Sequence, residues 1–331
     1  MSHSNSSVYS DESFDSTEDP FSFGAPAPAH TVGAPVPEHV VGAPGFIPFS
    51  TFQEIYRIDQ KVYGKGKFGV VHQATDCRDG KKVAIKKIDS KSLKVTDILR
   101  EVTCAMGFDS PNLCKVFGFS IDDGFVYIIT EFINGVELFE YANQRIAKKA
   151  PEFVKQILAG IAAGLEYLHK LGFAHRDIKL DNIMLELSPA RVFIRAVIID
   201  FGFTMRVREI PLGSEQGCIF YMAPEIVRHQ QLTEKVDIWA LGAVLFALIH
   251  GYFPVWSENK DPKLEANEVC TKLSLMKSNP VLPAYSGDNQ HLKDLYDICA
   301  RCLQYDPSAR ITAAELVASL PIEDSDSESD E

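Results

Sequence analysis

The segment Gly64-Lys65-Gly66-Lys67-Phe68-Gly69 spaces three glycines as G-x-G-x-x-G. The backbone N–H groups of such a loop can approach phosphate oxygens with no side chain in the way. Dinucleotide folds use the same spacing, with the third glycine opening a helix. Here the third glycine runs instead into Val70-Val71-His72-Gln73-Ala74-Thr75, a strand-like run followed by the turn Asp79-Gly80 and a second strand. The flanks predict a glycine loop between antiparallel strands, lying over a triphosphate; a flexible hairpin with no ligand is the plainer alternative. On the second strand, Val83-Ala84-Ile85-Lys86, alternation puts Ala84 and Lys86 on one face. A small residue beside a cation suits an adenine slot next to a phosphate, whereas a lone strand lysine is commonly just solvated. Lys86 needs a carboxylate to orient it, and Glu101 in the following helical segment is the candidate.

Two kinds of pattern must hold these groups in place. Short β-branched runs at Val70–Thr75, Val83–Ile88 and Phe125–Thr130 are interrupted by one helical segment near Thr96–Met106. From Pro151 onward helical spacing dominates. In Pro151–Lys170 the apolar residues at 154, 158, 161, 165 and 168 predict one buried face. The run Ile238–Ile249 is about 12 residues long, short of the roughly 20 that span a bilayer, and predicts a buried helix. Cys299-x-x-Cys302 lies in the helical repeat of Leu292, Leu295, Ile298 and Cys302, so two core thiols are expected there in preference to metal ligands. The expected class is α+β, a small antiparallel β-sheet lobe with one helix, followed by a larger mainly helical lobe.

The 331 residues carry a net charge of -12. Residues 1–50 hold six acids and no Lys or Arg, and residues 323–331 hold six more. Without these, 33 acids balance 33 bases, so the whole excess lies in the two ends. Acidic ends on a neutral core disfavour nucleic acid and anionic membrane as partners. The first 50 residues also repeat Gly-Ala-Pro at 24–26, 33–35 and 42–44, and both ends are expected to be disordered. Seven loosely spaced cysteines, with no signal-peptide pattern and no Met-Gly start, predict an intracellular, reduced protein, in the cytoplasm or nucleus. A monomer is the default.

Further motifs stand in order along the chain: His175-Arg176-Asp177-Ile178-Lys179-Leu180-Asp181-Asn182, Asp200-Phe201-Gly202, Ala223-Pro224-Glu225, then Asp237-x-Trp239-x-x-Gly242 and Arg310. With these the chain resembles the eukaryotic protein kinases of Ser/Thr type, loosely the calcium/calmodulin-dependent group, over residues 54 to about 320. The resemblance implies a bilobal kinase domain at 51–322, divided into 51–131 and 132–322. It also implies ATP and Mg²⁺ as cofactors and phosphoryl transfer to Ser or Thr hydroxyls of proteins.

The resemblance further implies roles for individual residues. Asp177 would accept or orient the hydroxyl proton, and Lys179 would steady the γ-phosphate. Asn182 and Asp200 would offer the oxygen ligands that Mg²⁺ prefers. Lys86, ion-paired with Glu101, would grip the α- and β-phosphates. Tyr63, Gly64, Lys65, Gly66, Lys67, Phe68, Gly69 and Val70 would roof the nucleotide, and Val71, Ala84 and Met184 would sandwich its ring. Thr130 would be the gatekeeper, the backbone at Glu131 and Ile133 would meet the adenine edge, and Glu137 the ribose. Glu225 with Arg310, and Asp237 beneath the catalytic loop, would be structural. Asp181 and Glu137 favour basic residues near the acceptor, and Phe203 favours Ser over Thr.

The main departure is Cys218, where Ser/Thr relatives have a threonine whose hydroxyl bridges the catalytic Asp and Lys. A thiol is a weaker donor, so a looser Asp177–Lys179 geometry is expected; a redox-sensitive thiol is the alternative. Leu180 for a common proline and Ala105 for a larger residue are milder departures. The competing reading is a pseudokinase, a nucleotide-binding scaffold without transfer. Arg176 awaits an anion, with phosphorylated Ser214 or Thr204, or Glu215, as candidates, and a kinase acting at Ser214 as the implied activator.

Overall fold

The computed structural model describes residues 42–66, 69–90, 95–122, 124–255 and 261–320. Helix α1 (Phe49–Ile55) leads into strands β1 (Tyr56–Gly66), β2 (Gly69–Asp76) and β3 (Lys82–Asp89), then helix α2 (Val95–Ala105), β4 (Val116–Asp122) and β5 (Phe125–Glu131). The strands form one antiparallel sheet in the order β1-β2-β3-β5-β4. The Asp79-Gly80 turn between β2 and β3 forms as expected, with Gly80 at φ 76° and its N–H on Asp76 O at 2.8 Å. Alternation splits the sheet into two apolar faces. One carries Phe52, Tyr56, Ala74, Val83, Ile85, Tyr127 and Ile129 in a small cluster under α1. The other, with Ile88, Phe119, Val126 and Ile128, packs with Ile98, Val102 and Ala105 of α2 and continues into the main core.

The packed chain starts upstream of the boundary expected at residue 51. Ile47 N–H donates to Phe119 O (2.8 Å) and Phe119 N–H to Gly45 O (2.9 Å), which covers the outer edge of β4. Phe46 lies on Phe119 (ring centroids 5.6 Å). Gly45 holds φ 77° against Met106, at the end of α2, where a Cβ would collide with the methionine sulfur. The rest of the expected acidic arm, 1–41, and the expected tail, 323–331, lie outside the described residues.

After residue 131 the chain crosses to the second lobe: β6 (Gly135–Glu137), α3 (Ile146–Lys149), α4 (Pro151–Lys170), β7 (Phe173–Ala174), β8 (Ile183–Leu187), β9 (Phe193–Ile198), β10 (Met205–Arg206), α5 (Pro224–Val227), α6 (Lys235–His250), α7 (Pro262–Leu275), α8 (Gln290–Cys302) and α9 (Ala313–Ser319). Helix α4 has the expected bounds, and Val154, Leu158, Ile161, Leu165 and Leu168 are buried on one face. Helix α6 is buried on all sides from Val236 to His250 and ends at Gly251 in the left-handed conformation, φ 80°. Among the described residues no helix is long and apolar enough to cross a membrane. Cys299 and Cys302 are buried in the core, as their spacing on α8 predicts. The β6-β8-β9 sheet departs from the helical pattern expected of this half, and it is the element that carries the underside of the cleft.

Candidate active site

Strands β1 and β2 come together at their glycine ends beside the cleft between the lobes. Gly66 pairs with Gly69, Lys65 with Val70 and Gly64 with Val71, after a register shift between Val62 and Gly64 that bends β1. Lys67 and Phe68 lie outside the described residues. Gly69 sits where a Cβ would strike the Lys87 carbonyl, so the third glycine is needed for the close approach of β2 to β3. The Tyr63 ring meets Phe132 edge-on at 5.3 Å, closing the front of the cleft. In the β3–β5 register Ala84 faces Thr130 and Lys86 faces Ile128. The chain then turns through Glu131 to buried Ile133, with Glu137 paired to Met184 across β6 and β8.

Lys86 Nζ lies 2.7 Å from Asp200 Oδ2. Burial would lower this ammonium, but Asp200 and then Glu101 outweigh it and raise its pKa. Burial would raise Asp200, yet the Lys86 charge and hydrogen bond, with the Gly202 N–H at 3.1 Å, bring it down to about 2. The expected Lys86–Glu101 ion pair does not form: among the described residues Lys86 pairs with Asp200. Glu101 stands nearby, its carboxyl pushed up to about 7 by burial and by Asp200, against the pull of Lys86.

The loop between β7 and β8 is built on Asp237. That carboxylate accepts from His175 N–H (2.8 Å), Arg176 N–H (2.7 Å) and His169 Nε2 (2.9 Å). Burial opposes its ionisation, and the His169 bond and charge overcome it, so its pKa is lowered. The same bonds hold Arg176 at φ 69°. Asp177 follows, with Asn182 Nδ2 at 2.7 Å from its carboxylate and 2.9 Å from its carbonyl, and Lys179 Nζ at 3.3 Å. Burial raises the Asp177 pKa and Lys179 opposes it. Because the Asn182 amide nitrogen is committed to Asp177, its oxygen is the group left to face a cation. Two hard oxygen donors, Asn182 and Asp200, fit Mg²⁺, which binds through one or two protein groups plus substrate phosphates. Among the described residues no group of three or more His, Cys, Asp or Glu is placed to hold a metal ion.

Phe201 is buried between His175 (5.7 Å) and Phe108 (5.5 Å). Of the three anion candidates for Arg176, the structure brings up Ser214: Arg176 NH2 donates to its Oγ and NH1 to Phe203 O (3.4 Å). Glu215 is drawn away to His229 Nε2, at 3.4 Å. Arg100 of α2 adds positive charge at Arg176. Cys218 lines a cavity of about 10 Å³ with Asp177, Gly217, Tyr221 and Asp237, room for about one water. Arg310 and Glu225 form the expected buried pair, with bonds of 2.7 and 3.2 Å.

One residue of the site lies outside every motif. Arg195 on β9 reaches Glu131 Oε2 (2.8 Å), Glu186 Oε2 (2.5 Å) and the Pro111 carbonyl. Its only signal in sequence is a charge inside the strand-like run Val192-Phe193-Ile194-Arg195-Ala196-Val197-Ile198.

Comparison with known proteins agrees with this geometry. The model of the protein kinase domain matches residues 56–320. An Aurora kinase of Eremothecium gossypii is 30% identical over 287 residues, covering 82% of this chain and 71% of its own. Calcium-dependent protein kinase 4 of Plasmodium berghei is 32% identical over 275 residues, 80% of this chain and 48% of its own. The human SNF-related serine/threonine-protein kinase is 29% identical over 267 residues, 79% of this chain and 32% of its own. The chain therefore spans about half or less of the length of several curated relatives. With the domain match covering most of its length and the cleft carrying the residues that phosphoryl transfer asks for, the chain belongs to the protein kinase family.

Proposed function

We propose that the chain is an active serine/threonine protein kinase that transfers the γ-phosphoryl group of Mg-ATP to protein hydroxyls. The observation that carries this reading is the convergence of Lys86, Asp177, Lys179, Asn182 and Asp200 on one cleft. Phosphoryl transfer needs positioning and charge compensation more than covalent chemistry. Asp177, its pKa raised by burial, is placed to orient and take the acceptor's proton. Lys179, beside it, would meet charge on the transferred group, and Lys86 the charge on the inner phosphates. Mg²⁺, held by Asn182 and Asp200, would neutralise the phosphate oxygens. Ala84 and Thr130 leave room for the ring, with Val71 and Met184 above and below it, and the backbone at Glu131 and Ile133 meets its edge.

A preference for basic residues near the acceptor follows from Glu137, whose carboxyl is raised by burial and by the like charges of Asp181 and Glu140. A cationic peptide side chain relieves that repulsion. Ser214 is the proposed site for an activating kinase, since a phosphate there would meet Arg176, with Arg100 nearby. The compartment proposed is the cytosol or nucleus, in keeping with seven cysteines that form no disulfide.

The test is transfer of labelled phosphate from Mg-ATP to a degenerate Ser/Thr/Tyr peptide array, with Asp177→Asn as control. Transfer to Ser and Thr peptides rich in Arg or Lys, lost in the variant, is the expected result. Nucleotide binding without transfer, with Ser214 phosphorylated, would refute the reading.

A further inference from the structure

The five residues from Glu131 to Gly135 are tied at both ends to one hairpin, β8–β9. At the far end Leu187 N–H donates to Asn134 O (2.8 Å), Asn134 Nδ2 donates to Leu187 O (3.1 Å), and Gly135 pairs with Glu186. At the near end the tie is a side chain. Arg195 Nε holds Glu186 at 2.5 Å while NH2 holds Glu131 at 2.8 Å, so one guanidinium spans both ends of the crossing. Glu131 is saturated in turn. Its second carboxylate oxygen accepts from Lys115 N–H (2.8 Å) and its own N–H donates to Lys115 O (2.9 Å). The third arm of the guanidinium, NH1, reaches the Pro111 carbonyl, in the loop that leaves α2. All three ionic side chains are about three-quarters shielded, with 25% exposure for Arg195, 21% for Glu131 and 22% for Glu186. Salt therefore screens them less than surface pairs, and a planar fork holding two carboxylates is a geometry that Lys cannot reproduce.

We infer that Arg195 is a positioning residue for nucleotide binding: it fixes the Glu131 side chain, and through it the backbone that meets the adenine edge. The inference rests on the proposed function, which assigns Glu131 and Ile133 to that edge. With the clamp closed, the crossing is held in one arrangement before nucleotide arrives, and binding costs less ordering. With it open, the chain between Thr130 and Asn134 must be ordered by the nucleotide itself. That loss falls on ground state and transition state alike, so it appears in KM for ATP more than in kcat. The partners of Arg195 are Glu131, Glu186 and the Pro111 carbonyl, all on the side of the crossing between the lobes, so the peptide KM is a built-in control.

The experiment uses the full chain as wild type, Arg195→Ala, Arg195→Lys and Glu131→Gln. ADP affinity, KM for ATP, KM for a peptide substrate and kcat are measured where circular dichroism shows every variant folded. The expected result for Arg195→Ala is an about tenfold rise in ADP Kd and ATP KM, with peptide KM and kcat moving less than about twofold. Arg195→Lys should fall between wild type and Arg195→Ala. Adding Glu131→Gln to Arg195→Ala should change little more, because both act through one clamp. If Arg195→Ala does not fold, Arg195→Lys decides: weaker ADP binding at an unchanged peptide KM supports the inference. Nucleotide affinity equal to wild type, or a parallel loss in all four quantities, overturns it. A wild type that binds no nucleotide overturns the proposed function and this inference with it.

Discussion

Asp237→Asn is the sharpest probe of how the fold holds its catalytic loop. The buried Asp237 carboxylate takes three hydrogen bonds, two of them from the successive backbone N–H groups of His175 and Arg176. Asparagine preserves the shape but offers one acceptor oxygen and turns an NH2 toward at least one donor. A hydrogen bond to a charged group contributes about 1.5–3 kcal/mol, and a stranded buried donor adds a penalty of similar size. Against this stands Arg176 at φ 69°, a left-handed conformation that costs a non-glycine residue about 1–2 kcal/mol. Losing one bond therefore removes a stabilisation comparable to the strain it offsets. Arg176 should leave that conformation in a large share of molecules and carry Asp177 off Asn182. We expect kcat for peptide phosphorylation to fall about 10- to 100-fold. Urea unfolding should show a loss of about 2–4 kcal/mol, and ADP affinity, which depends on the other side of the cleft, should hold. A variant with kcat within about threefold of wild type would refute the claim that Asp237 sustains the Arg176 conformation.

Glu101 predicts a pH dependence with a definite sign. Its carboxyl is raised to about 7 in the folded chain, above its unfolded value, so this contribution is complete below about pH 4.5 and lost as pH rises through 7. Glu101→Gln should abolish that slope, seen as up to about 3 kcal/mol in urea midpoints compared between pH 5 and pH 8. Asp200, lowered to about 2, has the opposite sign: its stabilisation is present above pH 4 and lost as pH falls toward 2. Arg310→Ala strands a buried Glu225 and should cost about 3–5 kcal/mol, whereas replacing both partners with apolar residues should cost less, by the same unfolding assay. Gly45→Val should lower the melting temperature because its φ of 77° strains a β-branched residue, while the flexible Met106 side chain can swing aside. Cys218→Thr restores a stronger donor near Asp177 and should raise kcat about two- to fivefold at unchanged stability.

Much of the site is legible in the sequence because its parts are local. Gly64, Gly66 and Gly69 are spaced by what a close backbone approach demands, and alternation alone puts Ala84 and Lys86 on one face. The bounds of α4 and its buried residues follow from apolar spacing, and the burial of α6 from its unbroken apolar run. Motif order links Asp177, Asn182 and Asp200, though their meeting is a tertiary fact reached by resemblance. The pairing of Lys86 is less legible: Glu101 is the carboxylate that spacing offers, but Asp200 is the one the fold brings within 2.7 Å of the ammonium. The β8–β9 hairpin is only partly legible: Val192–Ile198 is a strand-like run and Ile183, Leu185 and Leu187 alternate as buried residues, but both lie in the half of the chain where helical spacing dominates.

Sequence by itself determined the main strands of the first lobe, helices α4 and α6, the glycine loop, the order of the motifs and hence the family, since these depend on neighbours along the chain. Tertiary structure alone decided which carboxylate takes Lys86, where the N-terminal segment docks and what Arg195 does. Those outcomes depend on desolvation and on groups tens of residues apart, and Arg195 meets Glu131 only because β9 folds back beneath the crossing between the lobes.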